Sequence, residues 1–472
     1  MEVYHKIEAK KMVHTNKHKG NSTVALIRSS AKNATQISDL EVRQMVRDVV
    51  QLTGGFSDII KDGEFVVIKP NLVTTRATAG TICALTMLMT DPYKKNQVPQ
   101  TVNGITPDIR IAKALVELVR EINPSGKVYI MECSGEGHVK EAYNRLGYTH
   151  ENMPGVDKFV GLDETGDGYR AIDSEDLVAV DLKEKQQYKK LPKFLNNRYY
   201  FDKTYYSADV VISLCCLKNH MNAAITGGIK NVGIGVMPGK IYGNSKKTIN
   251  RGLTINHGWE PLNNFIHDYY IAKPVQFVLT DGLQGSAYGP HCQGAPSYEA
   301  VKMNMRLLLA SKDPVACDSV HACIIGVDPE KINYLKDISR DGFGTIDTSK
   351  ITVVGNARVD EVKKSFPMAK GVFGVMYNGP KKTKYTDFDP PEISVENVTV
   401  KDNKLAANLS VDSKTSKVEM HIDGKLVESF KGGFDQLQYP LNGRISKGSH
   451  EITFYAYDRF LNCGHKTTNF SQ

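Results

Sequence analysis

The stretch 217–239, LKNHMNAAITGGIKNVGIGVMPG, sets a histidine (His220) and a lysine (Lys230) among glycines, directly after the apolar run Val210-Val211-Ile212-Ser213-Leu214-Cys215. An imidazole exchanges protons near neutral pH and a lysine amine can hold an anion or form a covalent bond. Glycines such as Gly227 and Gly228 let the backbone approach a ligand closely. The run before them reads as a central parallel strand, and chemistry in open α/β sheets collects at the ends of such strands. Asn219, His220, Gly227, Gly228 and Lys230 therefore form a candidate site. The same residues would also serve as a glycine turn with a surface lysine and a hydrogen-bonded core histidine.

Other polar residues fall at inferred strand ends. Lys69 and Asn71 follow the apolar residues Val66-Val67-Ile68, with Pro70 between them fixing the turn, and Arg76 follows in the same loop. A lysine so placed suits an anion. Asp281 ends the run Phe277-Val278-Leu279-Thr280 and could act as a base, a ligand or a hydrogen-bond anchor. Asp313 and Asp318 flank a helix start, where capping is their expected role.

Several classes are excluded or weakened. Gly239-Lys240 is followed by Ile241, and the glycine a Walker loop needs five residues before Gly239 is Ile234, so that loop is absent. No G-x-S-x-G elbow occurs. The eight cysteines show no C-x-x-C spacing and sit mostly in apolar runs, which signals neither a zinc ribbon nor an iron–sulfur cluster. A net charge of +8 spread over scattered lysines does not concentrate on one face as nucleic-acid binders require; it is compatible with a small anionic substrate, and no nucleic-acid partner is expected.

The elements that must hold these residues alternate. Ser38-Asp39-Leu40-Glu41 is a capping box opening a helix toward Gly54, and Glu64–Pro70 reads as a strand. Pro107-Asp108 opens the helix IRIAKALVELVREI; the strand KVYIMEC and the helix HVKEAYNRLG follow. Strands are expected near 210–215, 275–280 and in MRLLLAS, with helices over about 260–272 and after Asp313-Pro314. This succession implies a largely parallel α/β fold, two-lobed, with helices flanking the sheets. A polar arm covers residues 1–20, the α/β part 21–380 and a linker 381–392. Residues 393–472 alternate in short runs with Asp-Gly and Asn-Gly turns, as in an immunoglobulin- or fibronectin-like β-sandwich, a module that would offer a surface to a protein partner. At 472 residues, 41% hydrophobic and 24% charged, the chain is an ordinary globular one. No apolar segment approaches the roughly 20 residues that span a bilayer. A soluble protein is expected, cytoplasmic, or exported if a leader has been removed.

Five pieces in order, VVIKPNL (66–72), YIMECSG (129–135), LKNHMNAAITGGIKNVGIG (217–235), TDGLQGSAYGP (280–290) and ASKDPVACDSVHACIIGVDP (310–329), resemble the family called domain of unknown function 362. Many of its members carry an acidic residue in the turn after the Asp-Gly pair, where this chain has Gln284-Gly285-Ser286. A more distant resemblance is to the nickel-dependent lactate racemase family, through Cys133-Ser134-Gly135-Glu136-Gly137-His138, then His220, Gly227-Gly228-Ile229-Lys230, Pro238-Gly239 and His257. It implies that His138 and His220 exchange acid and base roles on a 2-hydroxy acid, that Lys230 tethers a pyridinium-derived cofactor, and that His257 ligates nickel or another divalent metal. His257 lies further beyond the lysine than that family's pattern. His138 would equally sit in a solvated loop beside a helix start. The expectation is thus an isomerase or oxidoreductase acting on a small anionic substrate, or else a non-catalytic anion- or metal-binding scaffold docked through its sandwich.

Overall fold

The computed structural model describes residues 20–72, 103–133, 139–163, 170, 172–182, 184–243, 254–290, 295–296, 299–369, 381–441 and 445–471. His138 and Arg76 lie outside them. One nine-stranded sheet organises the α/β part, in the order β11 (Ile351–Gly355), β1 (Ser22–Arg28), β10 (Leu307–Ser311), β9 (Phe277–Ser286), β7 (Val210–His220), β2 (Phe65–Pro70), β3 (Lys127–Glu132) and β4 (Lys158–Gly161), with β8 (Ala224–Ile225) folded back on β7. Along that order only β10 runs against both of its neighbours. β5 (Leu177–Val180) and β6 (Tyr199–Asp202) pair separately.

Helices cover both faces. On one lie α1 (Asp39–Leu52), α2 (Ile109–Ile122) and α3 (Val139–Leu146); on the other lie α4 (Gly228–Gly235), α5 (Trp259–Ala272), α6 (Pro314–Ile324) and α7 (Asn333–Arg340). α1 buries Val42, Met45, Val46, Val49 and Val50, the three-and-four spacing of one helical stripe. Each such side chain contributes about 1.5–3 kcal/mol by leaving water, so a charge at Val46 would undo the helix's attachment. The expected capping box is half made: Ser38 accepts from Glu41 N, whereas the Glu41 carboxylate takes its hydrogen bond from Ser29. The parallel strands share a single sheet, and the division within this part is between the two apolar cores on its faces.

Two strands run further than their apolar runs. β7 continues through Lys218-Asn219-His220, buried at every position, and β9 takes in the Asp281-Gly282-Leu283-Gln284-Gly285-Ser286 segment that reads as a turn. A register shift between Cys216 and Lys218 lets the two central strands stay paired there.

Beyond residue 392 come β12 (Ile393–Lys401), β13 (Lys404–Val411), β14 (Thr415–Ile422), β15 (Lys425–Lys431), β16 (Gln436–Pro440), β17 (Ser449–Asp458) and β18 (Cys463–Ser471). A three-stranded sheet β12-β13-β16 and a four-stranded sheet β15-β14-β17-β18, both antiparallel, enclose Leu405, Leu409, Val418, Met420 and Phe454. This β-sandwich is compatible with a fibronectin-like module. Residues 381–392 are anchored to the α/β part, with Tyr385 buried and Lys384 bridged to Val327. Among the described residues no helix is long and apolar enough to cross a membrane.

Candidate functional site

The parallel strands β2, β3 and β7 deliver Lys69, Glu132 and His220 to one edge of the sheet, beside the glycine helix α4. Lys69 is fully buried. Its Nζ lies 3.0 Å from Glu132 and donates at 2.6 Å to Oδ1 of Asn231 on α4. Glu132 also accepts from Leu72 N at 2.7 Å, and Asn71 donates to the same Asn231 oxygen at 3.0 Å. The Asn231 amide in turn donates to the Lys69 carbonyl and the Ser213 hydroxyl. A Cβ on Gly235 would stand 2.3 Å from Lys69 Nζ, so that glycine makes room for the ammonium. Taking two charges out of water is costly, and a buried pair persists only when closely matched and further hydrogen-bonded, as here. Lys69, expected to meet an external anion, therefore ties α4 to the sheet instead, and Asn71 shares that network. Glu132 was legible only as a carboxylate closing a buried strand.

Gly227 and Gly228 were expected to receive an anion; the group that sits there is the carboxyl of Asp318, from α6. Its oxygens accept from Gly228 N at 2.7 Å and Ile229 N at 3.0 Å, satisfying the first N–H groups of α4. An internal carboxyl thus takes the place expected for an external anion. Burial pushes the Asp318 carboxyl up to about 7 against the opposing pull of those two N–H groups. Asp313, by contrast, caps its own helix through Val315 N and Ala316 N.

Asp281 and Asn219 are also anchors. The Asp281 carboxylate accepts from Asp108 N, at the start of α2, and from Leu283 N, each at 2.8 Å. Burial, with the neighbouring Asp108 adding to it, raises its carboxyl to about 7. Asn219 gives its amide to the Pro367 carbonyl and accepts from Gly289 N, both at 2.7 Å. Both side chains, expected to meet a substrate, bond to neighbouring loops in this structure.

His220 and His257 are arranged differently. Asn222, in the turn between β7 and β8, donates its backbone N–H to His220 Nδ1 at 3.0 Å and its side-chain amide to the His257 carbonyl at 2.9 Å. One asparagine therefore links the two segments. A backbone N–H can only donate, so Nδ1 of His220 is the lone-pair nitrogen and the proton of the neutral ring sits on Nε2. His257 Nδ1 lies 2.8 Å from the Ile255 carbonyl, which can only accept, so its Nδ1 carries the proton and Nε2 the lone pair. The two rings are held in opposite tautomers. Lys230, half-buried, stands on α4 between the buried Ile229 and Asn231.

His321 passed unnoticed in the apolar helix VACDSVHACIIG. It lies one turn beyond Asp318 on the same face of α6, fully buried, with the Lys218 backbone beside its ring. Burial lowers its pKa to about 3, with the Lys218 backbone opposing the shift, so the ring is neutral. Among the described residues no three His, Cys, Asp or Glu side chains gather to hold a metal ion.

No curated protein matches the chain. Among solved structures, fibronectin(III)-like modules of CbhA from Clostridium thermocellum align at 18% identity, covering 17% of this chain and 94% of that one, with a TM-score of 0.15. The spore cortex lytic enzyme SleM from Clostridium perfringens aligns at 7% identity over 94% of this chain and 78% of that one, with a TM-score of 0.19. Scores so low carry no argument for fold or activity. Residues 94–323, a span that holds α2, the glycine helix, His220, His257, Asp318 and all but the last residue of α6, match the model of the domain of unknown function family DUF362.

Proposed function

We propose that the sheet edge around His220 and His257 is the site of an enzyme that moves a proton on a small anionic organic substrate, in isomerase or oxidoreductase chemistry of the kind lactate racemases perform. The observation that supports this reading is the pair of opposite tautomers joined through Asn222. Nε2 of His257 offers a lone pair to take a proton from carbon; Nε2–H of His220 offers a proton to an oxygen or to the other face of that carbon. Lys230 would supply the cationic contact for the substrate's carboxylate. Such a positioned pair contributes about 10²–10⁴-fold per group in rate.

In the racemase-type version His257 would hold nickel or another divalent metal in place of acting as the base, and Lys230 would carry a pyridinium-derived group on its amine. His257, with Nδ1–H on a backbone carbonyl, has the tautomer a metal ligand needs. One such ligand falls short of a protein-held metal centre, so the proton steps above are derived from the side chains alone. The test is exchange of the carbon-bound hydrogen of D- and L-2-hydroxy acids in heavy water, with intact mass of the same sample reporting any adduct. Exchange lost in His220→Gln and His257→Gln is the expected result. No exchange with any 2-hydroxy acid, from a chain of unmodified mass, would remove this reading.

A second reading has its own support. Lys69, Asn219, Gly228 and Asp281 give their polar groups to the protein, which suits a non-catalytic scaffold that holds a small anion near Lys230 and meets a protein partner through its sandwich. Binding of 2-hydroxy acids without exchange would favour it.

A further inference from the structure

The C-terminal sandwich grips one end of helix α6. Phe460, in the turn between β17 and β18, stacks on Tyr385 with ring centroids 4.1 Å apart and planes within 6° of parallel. The Tyr385 hydroxyl donates at 2.5 Å to the carbonyl of Cys323, one residue before α6 ends. Arg459 reaches Asp328 at 2.7 Å and Glu330 at 2.9 Å, just past the same helix end, and Asn462 accepts from Lys363 Nζ. Asp328 is almost wholly buried, and Arg459 is its close cationic partner.

From its other half the same helix holds α4. Every residue of α6 is buried, so the helix is packed on all sides. Asp318 binds Gly228 N and Ile229 N, and the two bonds, at 2.7 and 3.0 Å, leave little slack before they exceed hydrogen-bonding distance.

We propose that the C-terminal module is a positioning element for the glycine helix: docking of the Arg459-Phe460 turn fixes α6, and α6, through Asp318, fixes the start of α4. The place of α4 in a small-molecule site rests on the function proposed above; the mechanical coupling stands without it. The module is then a structural part of the α/β machinery, and whatever displaces its turn loosens the segment that carries Lys230.

Hydrogen exchange on the full chain tests this. In the double variant Arg459→Ala/Phe460→Ala, amides of 227–235 should exchange about tenfold faster while those of 127–132 keep their native rates. Phe460→Tyr, which keeps the stacking ring, should retain native protection throughout. Asp318→Asn should open 227–235 and leave 458–463 protected. The inference is overturned if 458–463 opens in the double variant and 227–235 does not. Should the turn stay protected in that variant, Arg459→Glu/Phe460→Asp is read in the same peptides; should the double variant fail to fold, Phe460→Ala alone is. Because the readout is exchange, a chain inactive on every 2-hydroxy acid yet showing the coupling would sink the proposed function and leave this inference standing.

Discussion

The carboxylate of Asp318 occupies the space where a side chain on residue 227 would begin. A Cβ on Gly227 would lie 2.4 Å from Asp318 Oδ2 and 2.7 Å from Oδ1, and the Gly227 φ is +52°. Position 227 thus needs glycine twice, for a left-handed backbone and for a carboxylate that must come close enough to reach the next two N–H groups.

Gly227→Ala should therefore cost more than a left-handed backbone alone, which accounts for about 1–3 kcal/mol. Gly55→Ala is the control, since its φ is +71° but nothing lies within 4 Å of the added methyl. Urea unfolding of both variants makes the comparison. Equal losses would mean that Asp318 moves aside at no cost.

Removing Lys69 should be severe because it strands Glu132. Breaking one side of a buried pair costs about 3–5 kcal/mol, whereas replacing both by apolar groups of similar size is often neutral. Lys69→Met is accordingly expected to destabilise strongly, and Lys69→Met/Glu132→Leu to recover much of the loss. Recovery would be limited by Asn231 and Leu72 N, which then lose partners. A double variant no more stable than the single one would contradict the pairing.

These two sites show how far the sequence could be read. The strand ends, the glycine helix and the α6 start follow from apolar runs and caps, because those signals are local. Whether Lys69 faces solvent or Glu132, and whether the group at Gly228 is a substrate or Asp318, depends on residues 63 and 90 positions away. No local pattern encodes that. Asp318 and His321 share a helix face at a three-residue spacing, a signal that was present, but in an apolar helix it reads equally as core. β9 misled for a related reason: Asp281-Gly282 and Gly285 resemble turn residues, and only pairing with β10 and β7 keeps them extended.

Asp281 makes stability depend on pH in a defined direction. Its carboxyl is raised in the folded chain to about 7, above the unfolded value of about 3.9. The native state then holds the proton more tightly than the unfolded state does. Its stabilising contribution is present in full below about pH 4 and is lost as pH rises through 7. Asp281→Asn should therefore flatten the fall in unfolding free energy between about pH 4 and 7, measured by denaturant titration at each pH. A slope identical to that of the native chain would show that Asp281 is already ionised across this range. Asp318, raised to about 7 by burial, should add a slope of the same sign.

The opposite tautomers of His220 and His257 can be read without knowing any substrate. In the native chain labelled with nitrogen-15 in histidine, long-range proton–nitrogen spectra above the pH at which the rings titrate should show the Nε2–H form for His220 and the Nδ1–H form for His257. Asn222 fixes only the first of these directly, through its backbone N–H on Nδ1 of His220, while the Ile255 carbonyl fixes the second. Asn222→Ala keeps the backbone donor but removes the amide that reaches the His257 carbonyl. Both tautomers should therefore persist in Asn222→Ala, with the signals of His257 broadened as its segment loses that tether. Asn222→Pro removes the backbone donor itself, and His220 should then populate both tautomers. The acid and base assignments stand or fall on this measurement: two rings in the same tautomer would not supply one preset donor and one preset acceptor, and the proton-transfer reading of the site would lose its support.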